Sequence, residues 1–112
     1  MKIIKDNLLL SELKEMADKG FGNLVKAVVD VEKGIMAVDA ELHSDEEAFL
    51  LENGSEQKNL WGINLYPQAS GDNFIEFDSM INIKPAHGNR SREVVDSTLR
   101  EKIKEVIEKL VS

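Results

Sequence analysis

Two runs rich in Val, Ile and Ala limit the folds that are open to this chain. They cover Leu24–Val31 and Ile35–Leu42, with Glu, Lys and Gly between them. In each run apolar residues alternate with Lys, Asp or Glu, which predicts two antiparallel strands with one buried face. Gly34 suits the left-handed backbone that a short turn requires. The two runs therefore predict a β-hairpin.

Apolar periodicity indicates three more strands and three helices in the rest of the chain. The predicted strands are Met1–Lys5, Leu60–Tyr66 and Phe74–Lys84, and the predicted helices are Ser11–Lys19, Ser44–Asn53 and Asp96–Val111. Ser11 and the pair Ser44 and Glu47 are the expected caps of the first two helices. The last helix is expected to be capped either by the box of Thr98 and Glu101 or by Asp96. The element order β-α-β-β-α-β-β-α predicts an α+β fold, with an antiparallel or mixed sheet of about five strands and the helices mainly on one face.

Composition excludes several classes of function. The chain has 112 residues, which suits a single domain over residues 1–112. It has no cysteine, so thiolate nucleophiles, disulfides and cysteine zinc sites are excluded. No apolar run is long enough for a membrane span, and we expect a cytoplasmic protein without a membrane partner. A net charge of −7 argues against general nucleic-acid binding. No cofactor signature is present, and none is predicted.

Positive charge gathers in one polar loop near residue 90. Its candidate ligand-binding residues are Lys84, His87, Gly88, Asn89, Arg90, Ser91 and Arg92. Cationic side chains, a hydroxyl and a flexible glycine together suit a phosphate or a carboxylate, although the spacing is not that of a P-loop. The alternative is that the two arginines form internal salt bridges with Glu76, Asp78 or Glu93.

A second candidate site lies at the end of the predicted hairpin. Strand alternation would place Asp39, Glu41 and His43 on one face, where they are plausible ligands for a divalent metal. Same-face neighbours on a strand are ~6.6 Å apart, so convergence needs another element. His87 or Asp45 is the candidate for that role. The alternative is a solvated face that leads into a helix cap.

Three phrases of the sequence are similar to a known family. They are LVKAVVDVEKGIMAVDAELHSDEE at Leu24–Glu47, LWGINLYP at Leu60–Pro67 and IEFDSMINIKPAHGNRSREVVD at Ile75–Asp96. They resemble a family of short bacterial and archaeal proteins that is known only as a domain of unknown function. The resemblance covers nearly the whole chain, but it implies no activity and assigns no role to any residue.

No specific function follows from these patterns, and whether the protein is an enzyme stays open. The leading hypothesis is a small binding or interaction module that uses the Lys84–Arg92 loop to bind a small anionic ligand, with a homo-oligomer as an open question. One alternative is a metal-assisted phosphoester hydrolase that uses Asp39, Glu41 and His43, because the chain offers no other activated nucleophile. A weaker alternative is an RNA-associated role through the basic loop.

Overall fold

Five strands form one antiparallel sheet in the computed structural model, which describes residues 1–112. The elements in chain order are β1 (Lys2–Ile4), α1 (Leu10–Lys19), β2 (Val25–Asp30), β3 (Ile35–Val38), α2 (His43–Glu52), β4 (Leu60–Leu65), β5 (Ile75–Glu76) and α3 (Ser97–Leu110). The strand order across the sheet is β1-β3-β2-β4-β5. The predicted α+β fold with five strands and three helices is confirmed. None of the helices combines the length and the apolar character that crossing a membrane requires.

The main core lies between the sheet and the helices α1 and α3. Alternate residues of the three central strands face these helices. The helices α1 and α3 contribute apolar side chains at helical spacing. The sheet contributes Val25, Ala27, Val29, Met36, Val38, Trp61, Ile63 and Leu65, and the helices contribute Leu13, Ala17, Ile103, Val106, Ile107 and Leu110. The helical stripe predicted for residues 96–111 is therefore the one that closes this core.

The opposite face of the sheet is also covered, and the prediction of a hairpin with one buried face was wrong. Helix α2 packs there through Leu50 against Val28, Ala37 and Leu60. Two helices thus lie on one face and α2 on the other. The alternation of apolar and polar residues did not predict that α2 covers this face. Strand β2 carries apolar residues on both of its faces, including fully buried Val28.

The long strand predicted for Phe74–Lys84 does not form. Strand β5 ends at Glu76, and two short 3-10 turns, Met80–Asn82 and Pro85–His87, follow it. The chain leaves the sheet and then doubles back, so that Asp78 and Glu93 form an antiparallel bridge. Residues 78–93 are here called the cover segment. They lie over the same face as α2, because Ile81 packs against the cluster that contains Leu50 of α2.

The helix caps are predicted correctly for only one helix. Asp96 caps α3 by accepting hydrogen bonds from the backbone N–H groups of Thr98 and Leu99 at 2.8 and 3.4 Å. Helix α1 begins one residue before Ser11, with Leu9 as its N-cap. Helix α2 begins at His43 without a side-chain cap. Of the acidic residues in the first turns of α2, Asp45 is exposed, Glu47 is half-buried and Glu46 is buried.

Candidate functional site

A glycine in β4 lets the cover segment approach the sheet. A Cβ atom at Gly62 would lie 2.5 Å from the Cβ of Ser79, closer than two such atoms can come. The side-chain amide of Asn82 then takes the place of a neighbouring strand. It accepts a hydrogen bond from Gly62 N–H at 2.8 Å and donates to the Gly62 carbonyl at 2.9 Å. Because these two hydrogen bonds satisfy the backbone of Gly62, the backbone of the predicted long strand can leave the sheet.

Asn89 holds the cover segment together from inside. It is only 4% exposed, and its Nδ2 donates to the carbonyls of Asn82, Ser91 and Glu93 at 2.7, 3.1 and 2.7 Å. Its Oδ1 accepts from Val95 N–H at 3.1 Å. Every polar atom of this side chain has a protein partner. The sequence placed Asn89 among the ligand-binding residues, whereas its contacts in the structure are internal.

The remaining polar residues around Asn89 divide between internal contacts and solvent. Ser91 donates through its hydroxyl to the Glu93 carbonyl at 3.2 Å. Gly88 has a φ of +78° and closes a tight turn, in which its N–H donates to the Pro85 carbonyl at 3.1 Å. The flexible glycine of the predicted anion-binding loop therefore closes a turn within the loop.

The two arginines have different surroundings. Arg92 pairs with Asp78, with its Nε 2.8 Å from Oδ1, and both side chains are about half exposed. Arg90 is exposed and makes no ion pair or side-chain hydrogen bond. Glu93 lies 3.9 Å from Arg100 instead. The salt-bridge alternative thus describes Arg92 and leaves Arg90 free.

Lys84 is a buried cation at the edge of the cover segment. Its residue is 8% exposed, its Nζ donates to the Gln57 carbonyl at 3.2 Å, and the same atom lies 5.3 Å from the centroid of the Trp61 ring. None of the five ion pairs of the protein includes Lys84. Burial lowers the pKa of this amine, and the charge of Glu47 acts in the opposite direction.

A pocket of about 230 Å³ opens beside Lys84 and is here called the Lys84 pocket. Its apolar lining consists of Ile81, Ile83, Pro85 and Ala86, and its polar lining consists of Gln57, Lys58, Lys84 and His87. No carboxylate lines it. Of the predicted ligand-binding residues, the structure brings Lys84 and His87 together here, while Arg90, Ser91 and Arg92 lie elsewhere. Lys58 and Gln57 were missed, because no spacing links the turn before β4 to this loop.

The structure does not bring Asp39, Glu41 and His43 together. Strand β3 ends at Val38 and Asp39 has a φ of +70°, so strand alternation stops before the three residues. Asp39 and Glu41 are exposed, whereas His43 is 9% exposed and its Nε2 donates to the Ile63 carbonyl at 2.7 Å. No group of three or more His, Asp and Glu side chains is placed to hold a metal ion. The metal site stays a prediction that these contacts do not support.

Burial changes the protonation of two side chains of α2. It lowers the pKa of the His43 ring, and the hydrogen bond to the Ile63 carbonyl places a proton on Nε2. Burial raises the pKa of Glu46 to about 9, although its Oε2 accepts a hydrogen bond from Ala40 N–H at 3.2 Å. Oε1 of Glu46 has no partner. Nothing in the sequence indicates this buried acid, because three consecutive acidic residues, Asp45, Glu46 and Glu47, are typical of a solvated first turn of a helix.

The comparisons with known proteins identify a family but no activity. Residues 2–110 match the family described as Protein of unknown function (DUF5674). No curated protein and no solved structure matches the chain. Because the match covers nearly all of the sequence, the chain belongs to this family of unknown function.

Proposed function

We propose that the protein is a small binding module whose ligand is an anion held in the Lys84 pocket. The observation that carries this proposal is the state of Lys84, a buried ammonium group without a salt bridge. An ammonium group has three N–H donors, and only one of them has a protein acceptor, the Gln57 carbonyl. A phosphate or carboxylate oxygen would satisfy the other two.

The charge of the pocket lining supports an anion. Lys58, Lys84 and His87 line it and no acidic residue does, although the chain as a whole carries a net charge of −7. The apolar walls keep the local dielectric low, which strengthens a charge-assisted hydrogen bond. Glu47 is the carboxylate whose charge acts on Lys84. It stabilises the empty site and competes with a bound anion.

The volume of the pocket limits the ligand. At about 230 Å³ it is smaller than the ~300–1,000 Å³ of sites for drug-sized molecules. Inorganic phosphate, a short carboxylate or the phosphate end of a larger molecule fits such a space.

Isothermal titration of phosphate and acetate against purified protein tests the proposal. We expect saturable binding in the wild type, loss of binding in Lys84→Met, and tighter binding in Glu47→Gln because the competing carboxylate is gone. Lys33→Met is the matched control, since Lys33 also bonds a backbone carbonyl, that of Gly54 at 2.9 Å, but lies outside the pocket. Equal affinities in the wild type and Lys84→Met would reject the proposal.

We also infer a cytoplasmic location, and sedimentation of the purified protein decides between a monomer and a homo-oligomer.

RNA is the alternative ligand for the same basic residues. With two or three phosphate contacts, the logarithm of the RNA affinity should fall with the logarithm of the salt concentration. The slope should be about −1.4 to −2.1 for single strands. If short RNA binds no more tightly than inorganic phosphate, the result supports a small anion as the ligand.

A further inference from the structure

We propose that Lys84 is also a nucleophilic amine, which forms an imine with small aldehydes or ketones that carry a carboxylate or phosphate group. This inference rests on the proposed anion site and assigns its ligand class. The anionic group of the ligand pairs with Lys58, and the carbonyl carbon meets the Nζ of Lys84. Both residues line the same pocket.

Two features of the pocket favour amine chemistry at Lys84. The side chain is buried against apolar walls, so the charged ammonium form is poorly solvated and its pKa is lowered. The Nζ has no salt bridge that would hold the proton. A neutral amine is the nucleophilic form of lysine, and desolvation in an apolar pocket is one of the ways by which proteins produce it.

The reaction needs no reagent beyond the ligand. The ammonium group first gives up a proton, and the nitrogen lone pair then forms a C–N bond while the carbonyl π electrons move to oxygen. That oxygen takes up a proton to give a carbinolamine. The nitrogen then gives up a second proton, and the hydroxyl group takes up a proton and leaves as water. The nitrogen lone pair forms the C=N bond, and the product is a protonated imine. The imidazole of His87 also lines the pocket, and imidazole nitrogens can accept and donate protons in such steps.

Lys26 provides a comparison within the same protein. Its Nζ also lies over an aromatic ring, 5.1 Å from the centroid of Phe21. The pocket that Lys26 lines, however, contains the carboxylates Asp39 and Glu41. These negative charges repel an anionic carbonyl compound. Lys26 is therefore expected to react like any surface lysine.

Borohydride trapping tests the inference on the intact wild-type protein. The protein is incubated with glyoxylate at neutral pH, reduced with sodium borohydride, digested, and mapped by mass spectrometry. We expect the reduced adduct to accumulate at Lys84 ahead of Lys26 and the exposed lysines, to form faster in Glu47→Gln, and to be suppressed by phosphate. Propanal, an aldehyde without a charged group, should label Lys84 much less than glyoxylate does.

The outcomes separate this inference from the proposed function. Uniform labelling of all lysines, or equal labelling of Lys84 by propanal and glyoxylate, overturns the inference. If phosphate binds in titration but Lys84 gives no preferential adduct, the anion site stands and the imine chemistry is rejected. If Lys84 is labelled selectively but phosphate neither binds nor protects it, the anion site is rejected, and with it the assigned ligand class.

Discussion

Replacing Glu46 with Gln should change how the stability of the protein depends on pH. Glu46 is fully buried, and burial raises its pKa from 4.5 to about 9. The folded state therefore keeps a proton that the unfolded chain releases above its pKa of 4.5. The stabilisation from this proton is complete below pH 4.5 and is lost as the pH rises toward 9. Gln is uncharged and retains an oxygen that can accept the Ala40 N–H.

The size of the effect follows from the difference in pKa. One pKa unit corresponds to about 1.36 kcal/mol, and neutral pH lies about 2.5 units above the unfolded value. Glu46→Gln should therefore be more stable than the wild type by roughly 3 kcal/mol at neutral pH, with the advantage growing by about 1.4 kcal/mol for each pH unit. His43 is present in both proteins, so its titration cancels in the difference.

Urea unfolding of both proteins at several pH values between about pH 5 and pH 8 measures this difference. The control is Glu41→Gln, which makes the same chemical change at an exposed position. Its free energy of unfolding should run parallel to that of the wild type. A difference between Glu46→Gln and the wild type that stays constant over this range would refute the assignment of a buried, protonated acid.

Two further predictions concern the cover segment. Gly62→Ala should destabilise the protein by about 1–3 kcal/mol in urea unfolding, because the new Cβ overlaps Ser79, and Ser79→Gly in the same chain should recover part of the loss. An unchanged midpoint in Gly62→Ala would contradict the close approach of the segment. Arg92→Ala should cost at most ~1 kcal/mol, since its pair with Asp78 is half exposed, and Arg90→Ala should cost nothing measurable. A larger loss in Arg90→Ala than in Arg92→Ala would contradict the different surroundings of the two arginines.

Much of the fold follows from local sequence patterns. The alternation of residues 24–42 and the helical stripe of α3 depend on neighbours in sequence. The hairpin and the helix both form, although β3 ends at Val38 and not at the predicted Leu42. The failures come from contacts between distant residues. The apolar alternation of Phe74–Lys84 satisfies a strand, yet the amide of Asn82 bonds to Gly62, twenty residues away, and the chain leaves the sheet.

The candidate site was predicted only in part for the same reason. The sequence identified Lys84 and His87 by their place in a basic loop, and both line one pocket. It could not identify Lys58 or Glu47, because these residues reach Lys84 only through the packing of a turn and of α2 against the cover segment. The sequence also did not predict the internal role of Asn89, because an asparagine in such a loop suits a ligand contact and a structural contact alike.

Phosphate titration followed by NMR tests the anion site most directly. Backbone and side-chain amide signals of the uniformly ¹⁵N-labelled protein are recorded as phosphate is added, for the wild type and for Lys84→Met. The account predicts saturable shifts confined to residues that line the Lys84 pocket, with Gln57, Lys58 and His87 among them, and no such shifts in Lys84→Met. Shifts spread over the basic surface, or the same pocket shifts in both proteins, would contradict it.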